Sequence, residues 1–141
     1  SRVRMFREVR FLAAPPRPAA RPAVLLVDSS ASRRTLSGAL RQRYAIVAQT
    51  PSADAYRVVA DASRRIAAVV IDASTASASE TARLKLVRNL RYLFPSLRIV
   101  VATGSGALGP KVLKAGANVV ITAPARPAAV QAALAPVRSK R

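Results

Sequence analysis

The sequence predicts an α/β domain, a parallel five-stranded sheet covered by helices on both sides. Three observations carry that expectation. From residue 23 onward, short and nearly continuous apolar runs alternate with helix-like stretches. Strands buried on both faces and joined by crossover helices produce this pattern. Two of the runs close on an aspartate, Asp28 and Asp72, and a third closes on Thr103-Gly104. Polar residues just past the carboxyl ends of parallel strands line the crevice where ligands bind. Finally, 141 residues suit one domain with a sizeable core.

In order, the first strand is Ala23-Val-Leu-Leu-Val27, ahead of Asp28. A helix near 31–42 follows, with Ser30 or Ser32 available as its cap, then a strand near 44–48. Pro51-Ser52 opens a second helix near 52–63. Ile66-Ala-Ala-Val-Val-Ile71 is the third strand, ahead of Asp72. The third helix, near 80–94, offers Leu86, Val87, Leu90, Leu93 and Phe94 as its buried face, and Pro95 stops it. Leu97-Arg-Ile-Val-Val-Ala102 is the fourth strand. A helix near 107–115 ends at Gly116, a residue suited to a helix terminus. A strand near 118–122 and a helix near 126–136 complete five β/α units.

Ahead of the domain lie two other segments. Residues 1–12 place Arg2, Arg4, Arg7 and Arg10 among Val3, Met5, Phe6, Val9, Phe11 and Leu12. As a helix, Met5, Val9 and Leu12 share a face; as a strand, Arg2, Arg4 and Phe6 do. Either form pairs apolar anchors with cations, as docking arms and interfacial helices do. The alternative is an unstructured or locally packed terminus. Residues 13–22 hold four prolines, which favour an extended, semi-rigid linker. The expected organisation is thus a basic, apolar docking arm (1–12), a Pro-rich linker (13–22), the domain (23–137) and a basic tail (138–141).

Composition narrows the chemistry. There is no Cys and no His, which removes disulfides, thiolate nucleophiles, His-based triads and zinc sites. No apolar stretch approaches the ~18 residues of a membrane span, and the first residues lack a signal-peptide core. Twenty-four Lys+Arg face six Asp+Glu, for a formal charge of +18; 20 of the cations are Arg. Part of that count reflects a chain rich in Ala, Arg and Pro throughout, but compositional bias leaves the scarcity of acids unexplained. Such an excess favours an anionic partner: nucleic acid, an anionic membrane surface or an acidic protein face. Lys85, Arg88 and Arg91 recur on the third helix, Arg34 and Arg41 on the first, and Lys111 and Lys114 on the fourth. Few carboxylates interleave with these faces.

Several motifs stand in a telling order: Val24-Leu-Leu-Val-Asp28-Ser-Ser, Ala68-Val-Val-Ile-Asp72, Ile99-Val-Val-Ala-Thr103-Gly104, and Lys114-Ala-Gly-Ala117 before Val119-Val-Ile and Ala123-Pro124. With them, segment 23–137 resembles the CheY-like receiver domain of bacterial response regulators. The resemblance implies a flavodoxin-like, doubly wound sheet in the order 2-1-3-4-5. It also implies a site in which Asp28 and a second acid after the first strand, with Asp72 after the third, bind Mg²⁺, and Asp72 accepts a phosphoryl group. Thr103 matches the family's switch hydroxyl.

Other matches fail. The second acidic position is Ser29, the family's essential lysine falls at Ala123, and the aromatic switch position is Val120. The loop after Asp72 lacks the usual Pro and Asp-Gly pair. Mg²⁺ demands octahedral oxygen ligation, and phosphoryl transfer needs its charge neutralised. The pattern is therefore that of a degenerate pseudo-receiver, with Asp28, Asp72 and Thr103 as vestigial phosphoacceptor and metal-like positions. Each aspartate has a structural role open to it, capping the loop or helix after its strand. Thr103-Gly104-Ser105-Gly106 reads either as a small anion cradle or, more simply, as a strand-to-helix turn.

Three function classes compete. The first, which we prefer, is a non-catalytic binding or structural subunit without metal or cofactor. It docks through its arm (Arg2, Arg4, Phe6, Arg7, Arg10, Phe11, Leu12) and basic faces (Lys85, Arg88, Arg91, Lys111, Lys114). Its partner is anionic, a membrane-associated protein assembly or membrane surface, and its place is cytoplasmic, including the membrane periphery. The second is a nucleic-acid-binding protein working through phosphate contacts. It has no recognisable helix-turn-helix and only six aromatics to stack on bases. The third is a phosphorylation-dependent signalling receiver with Asp72 as acceptor.

Overall fold

The computed structural model describes residues 21–27, 33–50, 54–61, 66–73, 79–123 and 125–137. Its elements alternate throughout: β1 (Ala23–Val27), α1 (Arg33–Leu40), β2 (Ala45–Thr50), α2 (Ala55–Ala60), β3 (Ile66–Asp72), α3 (Glu80–Leu93), β4 (Arg98–Thr103), α4 (Leu108–Ala115), β5 (Val119–Thr122) and α5 (Pro127–Leu134). The sheet order is β2-β1-β3-β4-β5, and every pairing is parallel. This is the flavodoxin-like 2-1-3-4-5 arrangement. The docking arm, most of the linker, Asp28, Ser29, the proposed cap residues Ser30, Ser32 and Ser52, and the basic tail lie outside the described residues.

Strand pleating divides the core into two layers. Leu25, Val27, Val69, Ile71, Ile99 and Val101 pack against α2, α3 and α4. The alternate residues Val24, Leu26, Ala68, Val70, Val100 and Ala102 pack against Leu36 and Leu40 of α1 and Val130 and Leu134 of α5. Burying a Val, Leu or Ile side chain contributes about 1.5–3 kcal/mol relative to exposure. The alternating strand faces therefore hold helices to both sides of the sheet.

Helix ends follow local chemistry. The Ser79 hydroxyl caps α3 by accepting from the Ala82 N–H at 3.1 Å. Phe94 ends that helix immediately before Pro95, as expected. Gly116 ends α4 at φ 129°, with its N–H donating to the Val112 and Leu113 carbonyls. Only glycine takes this conformation cheaply. Space is also tight, because a Cβ at Gly116 would lie 2.7 Å from Cβ and Cγ of Arg91.

The buried face of α3 differs from expectation. Leu86, Val87 and Leu90 are buried and Phe94 is half-buried, but Leu93 is 55% exposed. Arg83 is buried instead, at 6% exposure. Positions 83, 86, 87, 90 and 94 follow the three-and-four spacing of one helical face, and 93 falls beside it. Arg91, expected on a basic outer face, is half-buried and makes three bonds. Its Nε donates to the Gly116 carbonyl at 2.9 Å, one terminal nitrogen to the Pro95 carbonyl at 2.7 Å, and the other to Asn118 Oδ1 at 2.6 Å. Asn118 Oδ1 also accepts from the Ile99 N–H at 2.8 Å. The guanidinium thus joins the end of α3 to the α4–β5 turn and, through Asn118, to β4.

Arg91→Ala is expected to cost about 1–2 kcal/mol in urea unfolding, charge-assisted bonds being discounted for partial exposure. Arg91→Lys should recover little of it, because one ammonium does not reproduce a planar fork spanning three acceptors. Full recovery by lysine would show that charge, not fork geometry, matters there.

Candidate functional site

The reversal of strand order between β1 and β3 creates a crevice at the carboxyl edge of the sheet. Asp72 is the last residue of β3 and is only 2% exposed. Its register partner is Ala102, which places Thr103, the last residue of β4, one step further along the adjacent strand. Backbone bonds tie the strand exits together: Ala73 N–H donates to the Ala102 carbonyl at 2.7 Å, and Ala123 N–H to the Thr103 carbonyl at 3.1 Å. Thr103 is buried, and its hydroxyl oxygen accepts from the Ser105 N–H at 3.0 Å. Ser105 Oγ in turn accepts from the Leu108 N–H at 3.3 Å, at the start of α4. The 103–106 segment is accordingly a strand-to-helix turn whose hydroxyls bond its own backbone.

A cleft of about 410 Å³ opens beside these residues, lined by Ala73, Glu80, Arg83, Thr103, Ser105 and Ala123 among others. Ala123, the position matched to the family's lysine, leaves a methyl group there. A buried arginine lines the same cleft, a feature the sequence reading missed. The signal was available in its spacing, three and four residues before Leu86 and Val87. Glu80 sits at the exposed rim, with its carboxylate 2.7 Å from Lys111 Nζ. Surface pairs of this kind are worth ~0–1 kcal/mol.

A second groove, about 680 Å³, runs from Thr103 along β5 to α5. Gly104, Gly106, Gly109, Val120 and Ala129 are among the residues that line it. The glycines and Ala129 leave that space open, and Arg126 also lines it.

Asp28, the first acidic position, lies outside the described residues. Among the described residues no three Asp, Glu, His or Cys side chains gather where they could hold a metal. The rim carboxylate is engaged by Lys111, and a guanidinium occupies part of the cleft wall.

Comparison with known proteins places the fold. No family model matches the chain, and no curated protein matches it in sequence. Solved structures do. A CheY-like response-regulator receiver domain from Methanospirillum hungatei shares 16% identity at a TM-score of 0.70, covering 83% of this chain and 93% of that one. The fold is that of a receiver domain. A chain from the CheX–CheY–BeF₃–Mg²⁺ complex of Borrelia burgdorferi agrees, with 18% identity and a TM-score of 0.69 over 82% of this chain and 87% of that one. So does a protein from Burkholderia pseudomallei described as pilus assembly-related, at 24% identity and a TM-score of 0.66, with the same coverages. Receiver domains are generally regulatory rather than catalytic, and they work through protein contacts. Among the described residues, no helix is long and apolar enough to cross a membrane.

With Ser29 and Ala123 at the positions that the resemblance matches to a metal ligand and the lysine of receivers, beryllofluoride plus Mg²⁺ is expected to leave the amide NMR spectrum of the protein unchanged. Saturable shifts around Thr103 and Ala123 that vanish in Asp72→Asn would restore the phosphoacceptor reading.

Proposed function

We propose that this receiver-fold chain is a non-catalytic binding subunit that docks on an acidic face of a membrane-associated protein assembly. The observation that carries the reading is the outer surface of α3 and α4. Lys85, Arg88, Lys111 and Lys114 are exposed there together with Tyr92 (83%), Leu93 (55%) and Leu113 (48%). Large apolar side chains standing in water beside cations suit a protein partner with an apolar centre and an acidic rim. Arg91 leaves this set, because its guanidinium bonds the fold itself. Lys111 also contacts Glu80.

The arm of residues 1–12 adds four arginines and six apolar side chains on a proline-rich spacer. The resemblance to a protein described as pilus assembly-related is in keeping with a place in a membrane-associated assembly. A nucleic-acid partner would need only phosphate contacts, but exposed Tyr92, Leu93 and Leu113 would gain little from a phosphate backbone.

Purification from the source organism tests both parts. Lys85→Glu/Arg88→Glu/Lys114→Glu is expected to weaken co-purification at least about tenfold, as reversal of complementary charge does. Raised salt should weaken the wild-type complex in the same direction. Deleting 1–12 should leave thermal unfolding nearly unchanged while releasing the protein from the assembly. Undiminished binding by both variants would overturn the reading, and loss of the partner on nuclease treatment would replace it with nucleic acid.

A further inference from the structure

The cleft below the carboxyl edge contains a cation of its own. Arg83 reaches it from the first turns of α3 and is more than nine-tenths buried; Thr103, Ser105 and Ala123 share the lining. A guanidinium carries permanent charge and needs matching negative charge when buried. The carboxylate of Asp72 is buried at the end of β3, one residue before Ala73 of the cleft lining. A divalent cation there would need several oxygens in a nearly fixed octahedron, in a space with a fixed positive charge in its wall and a rim carboxylate turned to Lys111.

We infer that Arg83 is the resident cation of this cleft. It supplies from α3 the positive charge that the resembled receivers draw from Mg²⁺ and from the lysine matched by Ala123, so the site neither requires nor admits a divalent metal. Side-chain reach makes this workable. Arginine is long enough for its backbone to sit on the buried helical stripe while its head group lies at the cleft. An alanine at 123 then leaves no missing charge to be made good from β5. This inference concerns the cleft alone and stands whether or not the α3–α4 surface docks as proposed.

Manganese is the probe, followed by paramagnetic broadening of amide signals in the full-length protein. Wild type is expected to show no saturable broadening at Thr103, Ser105 or Ala123 up to about 10 mM Mn²⁺, beyond the range of weak built sites for divalent cations. Arg83→Gln should bind at least about tenfold more tightly, as relief of one like-charge contact allows, and Asp72→Asn in that background should abolish the gain. One-to-one binding by wild type that Asp72→Asn removes would overturn the inference. So would a folded Arg83→Gln that gains nothing. Should Arg83→Gln fail to fold, the double variant Arg83→Met/Asp72→Asn decides. Removing both charges together should restore folding if they balance one another, and a double variant no more stable than Arg83→Gln overturns the assignment.

Discussion

Everything in this molecule follows from burial of β3 on both faces. All seven residues from Ile66 to Asp72 are buried, between β1 on one edge and β4 on the other. A strand so placed tolerates no polar side chain along its length without a buried partner. Polar groups are therefore displaced to its end, where the chain leaves the sheet. That is why Asp72 and Thr103 stand on adjacent strand exits, and why the cleft is at the carboxyl edge. The two-layer core follows as well, because a strand apolar on both faces requires helices above and below it.

The same constraint made the fold legible in the sequence. Five apolar runs were expected and five strands are found, displaced by a residue or two at most. Helices α1 and α2, expected at 31–42 and 52–63, are described over 33–40 and 55–60, while residues 31–32, 52–53 and 62–63 lie outside the described residues. Stop signals at Pro95 and Gly116 held because one lacks an N–H and the other alone accepts a positive φ. Strand order came from the likeness to receivers, since apolar runs look the same whichever neighbour they pair with. Arg83 and Arg91 were the places where hydropathy misled. An arginine counts as polar in any pattern, so one was overlooked and the other was assigned to solvent. The positions argued otherwise, since 83 continues the buried stripe of α3 and 91 faces the turn that Gly116 opens.

Arginine use also explains how so basic a chain remains folded with six carboxylates in all. Backbone carbonyls take the place of acids. Arg21 donates to the Arg41 carbonyl at 2.6 Å, Arg98 Nε to the Ala133 carbonyl at 2.6 Å, and Arg91 to those of Gly116 and Pro95. Carbonyls near helix ends hold partial negative charge and lack intrahelical partners. A guanidinium fork reaches them with several donors at once, which a lysine does not. A composition poor in acids and rich in arginine is thus compatible with the fold, and for Arg21, Arg91 and Arg98 the guanidinium has a structural use.

A cleft with its cation built into the chain also bears on how this receiver fold is used. Switching needs two states that a ligand distinguishes through differential contacts. Metal and phosphoryl groups serve that purpose because they arrive and leave, changing the charge that the switch hydroxyl meets. A guanidinium anchored on α3 does neither. Thr103 has its own fixed partner in the Ser105 N–H, and Val120 offers no aromatic side chain to swing between two positions. The outer surface of α3 and α4 carries Tyr92, Leu93 and Leu113 exposed. An apolar patch left uncovered invites non-specific association, which favours a partner that covers it. On the proposed reading, the receiver fold serves through its α3–α4 surface.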